Sequence, residues 1–241
     1  CGSASVSWIT PAACLWITKF LLSRNHPLLN YFQFRIIPVL NPDGYAYTWT
    51  NDRFWRKNRA PKANGCFGTF INRNFDIAFG GGDSSSNPCD ENYRGQNAFS
   101  EKESQAIRSF FNSNPPPRYY FSFFSFGQQW MYPFGYTTNL PQDVQRLSDK
   151  ANQAVNDLYS IYGTVYGTGN VAGVLGGTKS GTSNDWVYTK TRTEFAFSLL
   201  LGDTGDFGFC LPSNHIGGNG LEVIFAISEM VTNNRNMLVL P

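Results

Sequence analysis

The 241-residue chain is 41% hydrophobic and 16% aromatic, with a formal net charge of +2. That is enough apolar content for one sizeable core, and the scattered basic residues exclude the clustered footprint of a nucleic-acid or anionic-membrane binder. No apolar run reaches the ~20 residues that span a bilayer. Thr10-Pro11 ahead of Ala12, Leu15, Trp16, Lys19 and Phe20 reads as a capped helix start with Pro at the first helical position, ending near Asn25. The β-branched and aromatic run from Tyr31 to Leu40 predicts a buried strand. Residues 41–99, with Gly80 to Gly82 and Ser84 to Ser86, predict mostly loop.

Ser100 and Glu103 have the spacing of a capping box, opening a helix with Ala106, Ile107, Phe110 and Phe111 on one face. A strand is expected at Tyr119 to Phe126. Val144, Leu147, Ala151, Ala154, Val155 and Leu158 recur at helical spacing behind Pro141, predicting a helix over 141–160. Phe195 to Leu201 reads as another strand, and Leu221 to Val231 as a last helix. The alternation predicts an α/β fold: a mixed, mostly parallel central sheet flanked by helices, in one domain over residues 1–241 without internal repeats. Five cysteines permit two disulfides and one spare thiol, and count alone leaves the pairing open.

Asn41-Pro42-Asp43-Gly44-Tyr45, Phe54-Trp55-Arg56-Lys57, Asn72-Arg73-Asn74, Tyr132-Pro133-Phe134-Gly135-Tyr136 and Asp203-Thr204-Gly205 follow one another in this order. Together with the opening segment Cys1 to Cys14, this series resembles the zinc metallocarboxypeptidases of the pancreatic carboxypeptidase A and B group, over nearly the whole chain. The resemblance implies disulfides Cys1–Cys14 and Cys66–Cys89, and hence secretion, since such bonds persist outside the reducing cytosol. Cys210 is left as a small buried hydrophobe. It also implies that the chain starts just after the central strand of the family fold. The N-terminal strands are thus expected to be missing from this chain, and the open sheet to be covered by that segment or by another chain.

In the family, zinc is held by His-x-x-Glu before a Trp and by a later His. The matching positions here are Ala4, Ser7 and Phe124, and methyl, hydroxymethyl and phenyl groups do not hold zinc. The general-base Glu falls on Leu200 counting back from Asp203, or on Ser198 by the Phe-x-Phe pattern, and the mobile phenol of the family falls near Gly177. His26 and His215, the two histidines, read as lone solvated cap or loop residues. The expectation is therefore a family member with no cofactor, no zinc and no enzymatic activity.

The substrate-holding side survives. Asn72 and Arg73 match the pair that grips a peptide's terminal carboxylate, Arg56 the oxyanion-stabilising residue, with Arg53 in the same loop, and Asn184 the floor of the side-chain pocket. Three functions follow: a secreted binder of peptide C-termini or small carboxylates; a structural, storage or assembly protein, its arginines tying loops through Asp43, Asp76 or Asp203; or, least favoured, an active carboxypeptidase releasing C-terminal amino acids.

Overall fold

The computed structural model describes residues 1–23 and 25–232. Among these residues four strands, β1 (Tyr119–Ser125), β2 (Gln129–Tyr132), β3 (Gly167–Asn170) and β4 (Phe195–Leu201), form one sheet in the order β1-β4-β2-β3. The pairs β1–β4 and β2–β3 are parallel, and β2–β4 is antiparallel. This is the mixed, mostly parallel sheet expected.

Strand periodicity sends alternate residues to opposite faces. Phe195, Phe197, Leu199 and Leu201 enter the larger core with Phe123 and Trp130. That face is covered by helices α1 (Ile9–Ser23), α4 (Val144–Tyr162) and α7 (Ile216–Thr232), which bring Ile17, Leu147, Ala151, Val223 and Ile227 into the same cluster. The opposite face meets a smaller core of Ile71, Phe75, Phe99, Ile107, Trp186 and Val187, with Ile107 from α3 (Lys102–Ser113) and the last two from α6 (Ser183–Lys190). The other α-helices among the described residues are α2 (Pro42–Thr50) and the single turn α5 (Val171–Val174).

Several expectations need correction. The run from Tyr31 to Leu40 is extended but is not a strand, because a strand is defined by pairing. Among the described residues it joins no ladder: its start bonds back to Leu28 O through Tyr31 N and Phe32 N, and at its end Leu40 N donates to Cys1 O at 3.1 Å and Asn41 N to Gly2 O at 3.0 Å. Beside it lies an open groove of about 670 Å³ lined by Leu21, Leu22, Leu29, Phe32 and Phe34. Among the described residues, the outer edge of β1 has no partner.

Residues 41–99 are not all loop, since Asn41 caps α2 by accepting from Gly44 N at 3.0 Å with Pro42 at the first helical position. Gly44 is required there: a β-carbon would sit 2.4 Å from Lys57 O. The capping box does not form. The Ser100 hydroxyl donates to Glu101 Oε1, Glu103 accepts from Asn58, and Asn74 Oδ1 accepts from Glu101 N at 3.2 Å, serving the helix start from a distant loop. Helix α1 begins at Ile9, two residues before Pro11, because the Thr10 hydroxyl bonds back to Ser7 O at 3.0 Å.

Both disulfides form, with Cα separations of 6.6 Å for Cys1–Cys14 and 5.1 Å for Cys66–Cys89. Cys210 is exposed rather than buried, because the short turn Gly208–Cys210 carries Phe209 inward and its neighbour outward.

Phe197, fully buried on the central strand β4, tests this architecture. Phe197→Ala is expected to lower unfolding free energy by about 3–5 kcal/mol in urea titrations under oxidising conditions, whereas Tyr162→Ala on the exposed face of α4 changes it by less than about 0.5 kcal/mol.

Candidate functional site

A cavity of about 150 Å³ opens at the C-terminal ends of β1 and β4, where ligands commonly sit in parallel sheets. Phe124 lies opposite Leu200 in the β1–β4 register and Met131 opposite Ser198 in the β2–β4 register, and all four side chains reach the cavity. The opening segment adds Ala4, Val6 and Ser7, and the 56–73 stretch adds Arg56, Phe70, Asn72 and Arg73. Residues far apart in sequence, Ala4, Ser7, Phe124, Ser198, Leu200, Arg56, Asn72 and Arg73, thus line one cavity. Ser198 and Leu200 share a face, so both alternatives for that position point the same way.

The apolar wall is a cluster of Ala4, Val6 and Phe70 with Phe124 and Phe209 packed on it. The polar wall is cationic. Arg56 lies 4.2 Å and Arg73 5.0 Å from the Phe70 ring centre, so two guanidiniums flank one aromatic ring. Burial depresses the proton affinity of Arg56, and the neighbouring charge of Arg73 depresses it further, against the pull of Glu91 and Asp83. Both Nε atoms are buried without a partner.

Asn72 is partly committed, its Oδ1 accepting from Ser183 N at 2.9 Å. Arg73 Nη1 donates to Asn72 O at 2.7 Å and Nη2 to Asp83 Oδ2 at 2.6 Å. Asp83, rather than Asp43, Asp76 or Asp203, is therefore the acid that meets Arg73. Asp203 instead accepts from Gly205 N and Gly208 N at 3.1 Å and from Phe207 N at 2.5 Å, closing its own turn. Arg53 is a strut: it lies 3.8 Å over the Trp8 ring, donates to Val6 O at 2.9 Å, and also donates to Phe209 O.

Two anticipated residues stand outside the lining. Gly177 sits at φ 155° with open space where a β-carbon would be, in a loop whose Leu175 and Lys179 line the cavity instead. Asn184 is 1% exposed on α6, behind the lining residue Thr182, and neither amide atom has a partner. Its neighbour Asp185 accepts from Gly135 N at 2.8 Å and Tyr136 N at 2.9 Å, and burial pushes its carboxyl up to about 6 despite these donors.

The histidines lie elsewhere. His26 is buried rather than solvated, accepting from Leu28 N and packed on Phe20; His215 is exposed beside Phe207. Among the described residues, no three His, Cys, Asp or Glu side chains are grouped as metal ligands, and no helix is long and apolar enough to cross a membrane. Sequence reasoning missed Lys179 and Asp83, whose only signal was a charge inside each of two glycine-rich loops.

Comparison with known proteins adds the lineage. The family profile described as zinc carboxypeptidase matches residues 1–226. Carboxypeptidase B of Bos taurus is 37% identical over 240 residues, covering 96% of this chain and 57% of that protein. Carboxypeptidase O of Homo sapiens is 39% identical over 240 residues, covering 96% and 63%. The chain thus spans less than two thirds of the length of these relatives. Among solved structures, bovine thrombin-activatable fibrinolysis inhibitor, in complex with tick carboxypeptidase inhibitor, superposes with a TM-score of 0.91 at 34% identity, covering 97% of this chain and 81% of that one. Carboxypeptidase A from Helicoverpa armigera gives 0.86 at 28% identity, covering 95% and 58%.

The raised Asp185 carboxyl has a signed consequence. Between the unfolded value of 3.8 and about 6, the folded state holds a proton that the unfolded state has released, so stability from this group falls as pH rises through that window, by up to about 3 kcal/mol. The stability advantage of wild type over Asp185→Asn, from urea midpoints, is expected to shrink between pH 4 and pH 6.5. A constant difference refutes it.

Proposed function

The chain belongs to the zinc carboxypeptidase family, and we propose that it is a secreted member that binds the free carboxylate of a peptide C-terminus, or of a small acid, without cleaving a peptide bond. The supporting observation is a cavity that keeps its guanidiniums beside apolar walls. Arg56 and Arg73 each hold a buried Nε without a partner, while Ala4, Ser7 and Phe124 line the wall to which the family resemblance assigns the metal.

Catalytic zinc requires three nitrogen, sulfur or oxygen ligands and one open position. Ala4, Ser7 and Phe124 supply one neutral hydroxyl between them, so the residues present do not fit the ion and the proposed function uses no metal. Leu200, Ser198 and Gly177 likewise offer no carboxylate to activate water and no phenol to cover a substrate.

Carboxylate binding follows from electrostatics. Two buried cations that repel each other gain from an anion placed between them, and charge-assisted hydrogen bonds in a desolvated cavity exceed neutral ones. Asn184, buried behind Thr182 and outside the lining, does not reach a ligand in this cavity and sets no preference for the side chain of the bound terminal residue. Secretion is supported by the two disulfides.

A second reading, an inherited scaffold that presents surfaces to other chains, draws support from the pairing of Arg73 with Asp83 and from the open outer edge of β1 among the described residues. In that reading, the family's preceding strand segment or another chain covers the edge.

Calorimetric titration separates the two. With an N-acetylated dipeptide as free acid and as C-terminal amide, the binding reading expects the acid to be preferred and Arg73→Ala to weaken it about ten- to a hundredfold. Indifference to amidation leaves the scaffold. Elemental analysis of protein dialysed against zinc is expected to show substoichiometric metal, and incubation with the free-acid peptide no released C-terminal residue; stoichiometric zinc or turnover overturns the non-catalytic assignment.

A further inference from the structure

The cavity's cationic wall already holds a carboxylate. Asp83 Oδ2 lies 2.6 Å from Arg73 Nη2 and 3.3 Å from Lys179 Nζ. The fit is incomplete. Its other oxygen, Oδ1, is buried without a partner, as is Arg73 Nε, so one oxygen serves two cations while the parallel two-bond pairing of carboxylate with guanidinium is not made.

Asp83 lies in a segment rich in glycine. It follows Gly80, Gly81 and Gly82, with φ of +88° at Gly80 and +58° at Gly82, values that glycine adopts without strain. No side chain on these three residues anchors the loop, and Gly82 packs so closely on Thr178 that a β-carbon would lie 3.0 Å from its carbonyl oxygen. The opposing loop is also glycine-rich, with Gly176 and Gly177 in open space before Lys179, and Gly181 after it packed on Arg73 O, 2.3 Å from where a β-carbon would lie. Side-chain contacts that hold the two together are the Lys179–Asp83 ion pair and the Ser180 hydroxyl donating to Gly81 O.

We propose that Asp83 is a built-in competitor for the anion site: an internal carboxylate that holds Arg73 and Lys179 until an external carboxylate displaces it. Resting on the carboxylate-binding reading above, this makes the 80–83 loop a latch that sets affinity. A ligand offering both oxygens completes the Arg73 pairing that Asp83 leaves half-made, and the released Lys179 remains at the rim as a further cation. Apparent affinity is then the intrinsic affinity multiplied by the fraction of molecules with the latch open.

The experiment is the same titration, of free-acid and amidated N-acetylated dipeptide, into wild type, Asp83→Asn and Asp83→Ser. Expected is a tightening of free-acid binding in both variants, about tenfold if the latch is closed nine-tenths of the time, with the amide unchanged. If wild type prefers the acid but neither variant binds it more tightly, the latch is overturned and the carboxylate site stands. If no protein, wild type or variant, distinguishes acid from amide, the site itself is overturned and the latch with it. A measurement on wild type alone covers the case in which the variants fold poorly: amides of residues 80–84 should exchange hydrogen faster when saturated with the free acid, and unchanged or slower exchange overturns the latch.

Discussion

Parallel pairing of Tyr119–Ser125 with Phe195–Leu201 is the constraint on which the cavity depends. Because side chains alternate along a strand, a slip of one residue would exchange the faces of the whole pair. The register that sets Phe121 against Phe197, in the larger core, also sets Phe124 against Leu200 at the cavity. Burial of the aromatic face, the larger of the two cores, therefore helps to fix the geometry of the other face. The cavity residues of the sheet are thus held in part by packing on its far side.

A second support is polar. The 41–99 stretch carries three of the cavity's polar residues, yet its helical content is small, so its backbone groups must find partners elsewhere. Asn74 donates to Arg94 O at 2.8 Å and Asn97 O at 3.0 Å while accepting from Ser104 at 2.6 Å. Asn58 accepts from Thr69 N at 2.8 Å and donates to Glu101 at 2.9 Å. Burial pushes the Glu101 carboxyl up, but hydrogen bonds from Lys62, Asn58 and Ser100 outweigh it and hold the group below the ordinary carboxylate range. This buried network places Phe70, Asn72 and Arg73 one after another at the cavity mouth, with the Cys66–Cys89 bond limiting how far the loop departs.

What the sequence made legible follows the strength of local signals. Phe195 to Leu201 and Val144 to Tyr162 carry apolar patterns longer than chance provides, and both elements form near the expected bounds. Gly167–Asn170 does not, since Gly-Thr-Gly-Asn has no apolar alternation and becomes a strand only because β2 lies beside it. Tyr31 to Leu40 carries a strand's composition without a strand's pairing. Asn41-Pro42-Asp43-Gly44 reads equally as a turn or as a capped helix start, and Tyr45 to Trp49 decide for the helix. At the cavity, motif order identified Arg56, Asn72 and Arg73. Asp83 and Lys179 were illegible because their meeting joins loops 96 residues apart, a tertiary fact that no local pattern encodes.

The apolar wall and the proposed absence of metal explain each other. Buried imidazoles and a carboxylate deprived of their cation would be desolvated polar groups without partners, each costing one to several kcal/mol. Apolar side chains at those positions remove that cost and add packing: Phe124 and Phe209 against Ala4, Val6 and Phe70. In the proposed metal-free cavity the field is set by Arg56 and Arg73 with Lys179 beside them, opposed by Glu91 and Asp83. Asp83, on a loop of glycines, is the acid of the chain that pairs with Arg73 and Lys179. On the proposed reading, a carboxylate, internal or external, relieves the repulsion between these cations. Competition between an internal and an external carboxylate is then the chemistry proposed for this wall.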